Sequence, residues 1–406
     1  MKWRLSCILT ILLSALTACG GVAAVTPPIT LAPEPTDRLA LLPEWCGAGA
    51  PGVPPIALVG ATLIDGTGAD PLPDAALVIQ DCRIAAAGPH AEVAIPGDAQ
   101  VIELDGATIL PGFVNAHVHD VYTQRNLRTW AQAGITTVRD LGAPLGYRYF
   151  ETRDRLATDP ANARIVSVGP LVTVPEGYPI VPNGFPSLAV TSAEDARQQI
   201  ARLIDEGAEV IKMAFSGSPP TLSPEESAAI VQTAHERDIP VTAHATNPRE
   251  LQRALDAGVD DVAHISGDPV SDRTIRRMVS ANVYWVPTLE ALHGEGGDNL
   301  RRFVEAGGQV ALGTDAGYLA GLEIGMPLDE IALMEEAGMT PMQVIVAATR
   351  NGAHVCRLER QLGTLEIGKL ADVLVVDGDP LQDLETLANV RLVIHGGVII
   401  RQEVEQ

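Results

Sequence analysis

Lysine is almost missing from this chain. Of its 28 basic residues 25 are Arg, and the three Lys are Lys2, Lys212 and Lys369. Positive charge is scarce as a whole: 51 acidic residues give a formal net charge of −23. Such a surface repels phosphates, so no nucleic-acid partner is expected. Cysteine is sparse as well, and five in 406 residues cannot build a disulfide-framed fold. After the first 20 residues no stretch is long and apolar enough to span a membrane. What is present is 46% apolar residues with 38 Gly and 30 Pro, which excludes disorder over most of the length, collagen-like repeats and coiled coil. The length suggests two or three domains, with an α/β barrel able to take up about 250 residues as one.

The first residues read as an address. Lys2 and Arg4 form a basic start, Ile8–Leu16 is a short apolar core, and Leu16-Thr17-Ala18-Cys19-Gly20 supplies small residues at a cleavage point. A Cys directly after Leu-Thr-Ala resembles a bacterial lipoprotein signal. Residues 1–18 are then the signal peptide, Cys19 the lipidated residue, and 19–55 an Ala/Pro/Gly-rich tether. This implies an exported protein anchored in a membrane, on the outer side of the cytoplasmic membrane or in the periplasm or outer membrane. Export permits a disulfide, so Cys46 and Cys82 either pair or remain two separate thiols. Cys356, in a helical pattern, reads as a core residue.

From residue 113 short β-branched runs alternate with helical stretches. The expected strands are Phe113–His119, Ile135–Asp140, Ala163–Val168, Glu209–Ala214, Pro240–His244, Asp260–Ile265, Val283–Pro287 and Gln309–Asp315. Amphipathic stretches such as Ser192–Glu206 and Ser223–Arg237 separate them, the second opening with a capping Ser, Pro and two acids. Eight strand–helix units predict a (β/α)8 TIM-like barrel over 113–362, with a doubly wound open sheet as the alternative. Residues 56–112 and 363–404 hold short β runs broken by Gly, Asp and Pro, and are expected to pair into one small β-sandwich domain made from both ends of the chain.

Active sites of such barrels lie at the C-terminal ends of the strands. Strand 1 ends in His117-Val118-His119, and alternation points both imidazoles the same way. Strand 4 carries Lys212, strands 5 and 6 end at His244 and His264, and strand 8 ends in Asp315. Several His and a carboxylate converging on one rim make a site for a borderline divalent metal, with Zn the best match. An ammonium at Lys212, inside Val210-Ile211-Lys212-Met213-Ala214, is electrostatically wrong beside a cation unless it is neutral or modified. Carboxylation by CO2 makes it an anionic carbamate able to bridge two metals.

With these residues placed, the chain resembles the amidohydrolase superfamily, in the branch of imidazolonepropionase-like and Xaa-Pro dipeptidase-like enzymes. The matching stretches are 111–119 (Pro-Gly-Phe-Val-Asn-Ala-His-Val-His), 133–140 (Ala-Gly-Ile-Thr-Thr-Val-Arg-Asp), Val210-Ile211-Lys212, His244, Val262-Ala263-His264, Gly313-Thr314-Asp315-Ala316-Gly317 and the return segment Gly363–Asp372. The resemblance covers about residues 56–404. It implies that His117, His119 and Asp315 hold one metal, His244 and His264 a second, and a carboxylated Lys212 bridges them, giving two Zn per chain.

The resemblance also implies hydrolysis of a C–N bond in a small molecule or small peptide, such as a dipeptide, an N-acyl amino acid or a cyclic amide. Metal-activated hydroxide attacks, and Asp315 acts as general base and then acid. The segments Phe215-Ser216-Gly217-Ser218 and Pro170–Val190 depart from the dipeptidase pattern, so specificity does not carry over. A one-metal deaminase and a non-catalytic binding lipoprotein are the alternatives, and a homo-oligomer is compatible with the sequence. Among the remaining polar residues, Tyr178 and His293 read as surface-loop residues and Arg139-Asp140 as a structural ion pair. His90, His235, His354 and His395 read as structural, and Lys369 as a turn residue.

Overall fold

The computed structural model describes residues 54–181, 183–215 and 220–403. The expected signal peptide, Cys19, the expected tether up to residue 53 and Cys46 lie outside them. Five strands come first: β1 (Ile56–Leu63), β2 (Leu72–Gln80), β3 (Arg83–Pro89), β4 (Gln100–Glu103) and β5 (Ala107–Pro111). Strand β1 buries both faces. Ile56 and Leu58 join one apolar cluster while Ala57 and Val59 join another, as period-two alternation requires.

The parallel strands follow: β6 (Phe113–Val118), β7 (Ile135–Asp140), β8 (Arg164–Ser167), the two-residue β9 (Val172–Thr173) and β10 (Leu188–Ala189), then β11 (Ile211–Ala214), β12 (Val241–His244), β13 (Asp261–Ala263) and β14 (Tyr284–Val286). Their ladders run β6-β7-β8 and β10-β9-β11-β12-β13-β14. Glu209 N–H donates to Ser167 O at 3.0 Å and joins the two groups. The eighth barrel segment reaches both of its neighbours. Trp285 N–H donates to Gln309 O (3.0 Å), and Ala116 N–H to Leu312 O (2.8 Å).

That eighth segment is not the regular strand expected over Gln309–Asp315; only Val310 and Ala316 form isolated bridges. The local reason is visible. Thr314 and Asp315 N–H both donate to His117 O, at 3.1 and 2.8 Å, and Asp315 has φ of 65°, so the ladder breaks where the carboxylate is presented. The helices Ala193–Glu206 and Pro224–His235 form as their caps predict, with Ser192 accepting from Asp195 N–H and a full capping box between Ser223 and Glu226.

The chain returns through β15 (Val373–Asp377), β16 (Val390–His395) and β17 (Val398–Gln402). These join the first strands in one eight-stranded sheet, order β17-β16-β15-β5-β1-β2-β3, which forks where β4 also pairs with β1. Strands β16 and β17 are separated by Gly396 and Gly397 (φ 53° and 79°), which make the turn between them. Asp372 fastens this return segment. It accepts from Arg164 of β8 at 2.7 Å and from Gly396 N–H at 2.8 Å. Cys82 is disulfide-bonded, to a partner outside the described residues. Cys356 is a free, buried thiol. Among the described residues no helix is long and apolar enough to cross a membrane.

Candidate metal centre

The C-terminal end of β6 presents two imidazoles two residues apart. His117 is 1% exposed, and its Nε2 lies 3.0 Å from Asp315 Oδ1; His119 Nε2 lies at the same 3.0 Å from that oxygen. One ligand atom each from His117, His119 and Asp315 falls within 4.8 Å of the others. Gly313 and Gly317 make the approach possible. A Cβ at Gly313 would stand 2.8 Å from His117 Cβ, and one at Gly317 would stand 2.1 Å from His119 O.

The other ends of the barrel complete the cluster. The His264 ring, just past β13, lies 4.8 Å from that of His117, and His244 at the end of β12 lies 4.5 Å from His264. His264 adopts φ of 72°, and its Nδ1 faces Thr288 Oγ1 at 2.9 Å. His119 Nδ1 donates to Gly142 O at 3.2 Å. Both contacts engage Nδ1 and leave Nε2 for the centre of the site, the arrangement that orients metal-binding imidazoles. Lys212, on β11, is 2% exposed, and among the described residues its Nζ has no hydrogen-bond partner.

Electrostatics follow from this burial. Burial pushes His117 and His244 down to about 3 and His264 well below its ordinary value, so all three are neutral with a free lone pair. Burial also opposes charge on His119, but the hydrogen bond and charge of Asp315 outweigh it and raise its pKa. For Asp315 burial works upward, and His117 with the other imidazoles nevertheless holds it well below the carboxylate range. Burial brings Lys212 down to about 7 against the pull of Asp315. Neutral imidazoles, an ionised carboxylate and an unpartnered buried amine are a donor set that fits a divalent metal.

Two sequence expectations need correction. Tyr178 is not a free surface-loop residue: its ring stacks on His244 with centroids 4.6 Å apart. Arg139 and Asp140 do not pair, because consecutive strand residues point to opposite faces. Arg139 instead donates to both oxygens of Asp261, each at 2.9 Å, while Asp140 accepts from Tyr122 Oη at 2.9 Å. Tyr318, which carried no sequence signal, stacks on His119 at 4.9 Å.

The remaining histidines stay away from the cluster. His293 is exposed on the loop after β14. His235 pairs with Asp260 at 2.8 Å, His395 faces Pro160 O at 2.9 Å, His354 stacks on Tyr284 at 4.7 Å and His90 faces Asp74 at 3.4 Å. Lys369 Nζ reaches Glu366 at 2.8 Å in the return segment.

Several known proteins are similar to this chain over most of its length. The imidazolonepropionase of Bdellovibrio bacteriovorus is 25% identical over 382 residues, covering 78% of this chain and 85% of that protein. A putative prolidase from Bifidobacterium longum superposes with a TM-score of 0.75 at 29% identity, covering 88% of this chain and 97% of that one. A Xaa-Pro dipeptidase solved with methionine in its active site superposes at 0.76 with 25% identity, covering 85% and 99%. The profile of the amidohydrolase family matches residues 108–400. A (β/α)8 scaffold whose strand ends gather four imidazoles and a carboxylate, matched by that profile over most of its length, makes this chain a member of the amidohydrolase family, a hydrolase of carbon–nitrogen bonds.

Proposed function

We propose that the protein hydrolyses an amide or peptide-like C–N bond in a small molecule at a two-metal site. The observation that carries this reading is Nζ of Lys212, which has no hydrogen-bond partner among the described residues and is buried beside the imidazoles and Asp315. His117, His119 and Asp315 would hold one ion, His244 and His264 the other, and Lys212, as a carbamate, would lie between them. Zn suits the nitrogen-rich set. When bound, such ions supply a water of lowered pKa and polarise the substrate carbonyl.

The chain's own residues do the rest. Asp315 is kept ionised by the imidazoles around it, so it can accept the proton of the attacking water and release it to the leaving nitrogen. Gly142 O and Thr288 Oγ1 fix the rings of His119 and His264 so that neither turns away during turnover.

Elemental analysis of the full chain purified with bicarbonate and without chelator tests the reading. About two ions per chain, falling in Lys212→Met, support it. One ion unaffected by Lys212→Met gives the one-metal alternative, and no ion after reconstitution overturns the hydrolase. The same reading keeps Cys19 as a lipid anchor, which fatty-acid labelling of the expressed protein and of Cys19→Ser would check.

A further inference from the structure

Aromatic residues make up only 4% of the chain, yet three of them gather around the metal cluster. Tyr318 stacks on His119 at 4.9 Å, and Phe185 meets Tyr318 edge-on at 5.5 Å. Tyr178 stacks on His244 at 4.6 Å, and in the loop after β7 Tyr147 lies 5.5 Å from Tyr122. Of the large apolar side chains exposed among the described residues, Leu145, Tyr147, Val181, Tyr318 and Leu319 belong to these same loops. Leu145 N–H donates to Pro186 O at 2.8 Å and ties two of the loops together. The apolar surface is therefore concentrated at the mouth and runs down to the imidazoles themselves.

The charges at this mouth are one-sided. The segments that follow the eight barrel strands (119–123, 141–148, 168–192, 215–223, 245–247, 264–271, 287–296 and 316–327) contain no Lys and one Arg, Arg148, which is engaged by Glu151. The same segments carry Asp120, Glu176, Asp268, Glu290, Glu295 and Glu323. Arg139 is committed to Asp261 inside the barrel. A substrate carboxylate is ordinarily met by a guanidinium or ammonium, and these segments offer only Arg148 against six acids.

We propose that this collar selects an amide bearing an aromatic or bulky apolar group and no free carboxylate. The inference rests on the hydrolase reading above and narrows it, since free dipeptides and N-acyl amino acids bring a carboxylate to an acidic mouth. The substrate's apolar group lies against Tyr318 and Phe185, which leaves its carbonyl over the cluster.

The test is a matched pair with one scissile bond: N-benzoylphenethylamine, and N-benzoylphenylalanine, which adds only a carboxylate. Binding of each to the metal-loaded full chain is measured by calorimetry, and hydrolysis by release of benzoate. The neutral compound is expected to bind at least about tenfold tighter. Tyr318→Ala and Phe185→Ala are each expected to weaken it about three- to tenfold. Equal or tighter binding of the acid, or no loss in both variants, overturns the inference. Preferential hydrolysis of the acid also overturns it and leaves the hydrolase standing. Tight, aromatic-dependent binding of the neutral compound without any hydrolysis supports the collar and counts against the hydrolase.

Discussion

Arg139 and Asp261 meet as a two-pronged pair inside the barrel, both fully buried, with each guanidinium nitrogen 2.9 Å from a separate carboxylate oxygen. Arg139 donates two further N–H groups, to Ala116 O at 2.6 Å and Val355 O at 3.0 Å. One side chain thus fixes β6 next to His117, β7, β13 and the helical turn Gly352–Val355. Removing one partner strands a charge in a dry interior. Asp261→Asn is expected to cost about 3–5 kcal/mol in chemical denaturation, and the double variant Arg139→Met with Asp261→Leu to recover much of it. A single-variant loss under about 1 kcal/mol would show the pair to be dispensable.

Asp372 gives stability a dependence on acid. Burial alone would raise its pKa, but Arg164, His395 and the Gly396 N–H together hold it below the usual carboxylate range. Its stabilisation is complete above the unfolded-chain value of about 3.9 and is lost as pH falls through the lower folded value. Asp372→Asn is expected to cost about 3 kcal/mol at pH 7, with a narrower gap to the parent at about pH 3. Urea midpoints at the two pH values measure this, and a gap that widens in acid would contradict it.

Gly317 has φ of 122°, and a Cβ there would stand 2.1 Å from His119 O. Gly317→Ala is expected to destabilise the protein by more than about 1 kcal/mol and to displace His119. Metal content after dialysis should fall further than it does for Gly321→Ala, whose surroundings are open. Equal retention by both variants would place the constraint elsewhere.

Asp315→Asn keeps the shape of the side chain and removes its charge. On any substrate the parent hydrolyses, kcat/KM is expected to drop by about 10²- to 10⁴-fold, while the thermal midpoint of the metal-free protein changes little. Full activity in this variant would remove Asp315 from proton transfer.

Local pattern carried much of this structure. The runs Phe113–Val118 and Val241–His244 are largely β-branched or apolar, and each carries a site imidazole, His117 or His244, at or next to its C-terminal residue. The His-x-His pair needed nothing beyond alternation. What stayed hidden depends on partners distant in the chain. Arg139 finds Asp261 122 positions away, and the strand alternation that forbids its pairing with Asp140 was overridden by simple adjacency. Tyr178 lies on a loop and His244 ends β12, and no periodicity relates them. The strand Ala107–Pro111 ends in Pro and is too short to read alone; it forms because Val373–Asp377 lies beside it. The eighth segment failed as a strand for a functional reason, since presenting Asp315 requires a backbone that a ladder cannot hold.

The pairing of β5 with β15 also sets an order of assembly. Leu110 faces Leu374 and Pro111 faces Val373, so roughly 260 residues must emerge between one strand and its neighbour. At about 5–20 residues per second the β5 edge waits tens of seconds during synthesis without its partner. An unpaired edge of Ala-Thr-Ile-Leu invites strand addition from other chains, so a ribosome stalled within the barrel releases an aggregation-prone fragment rather than a stable amino-terminal domain.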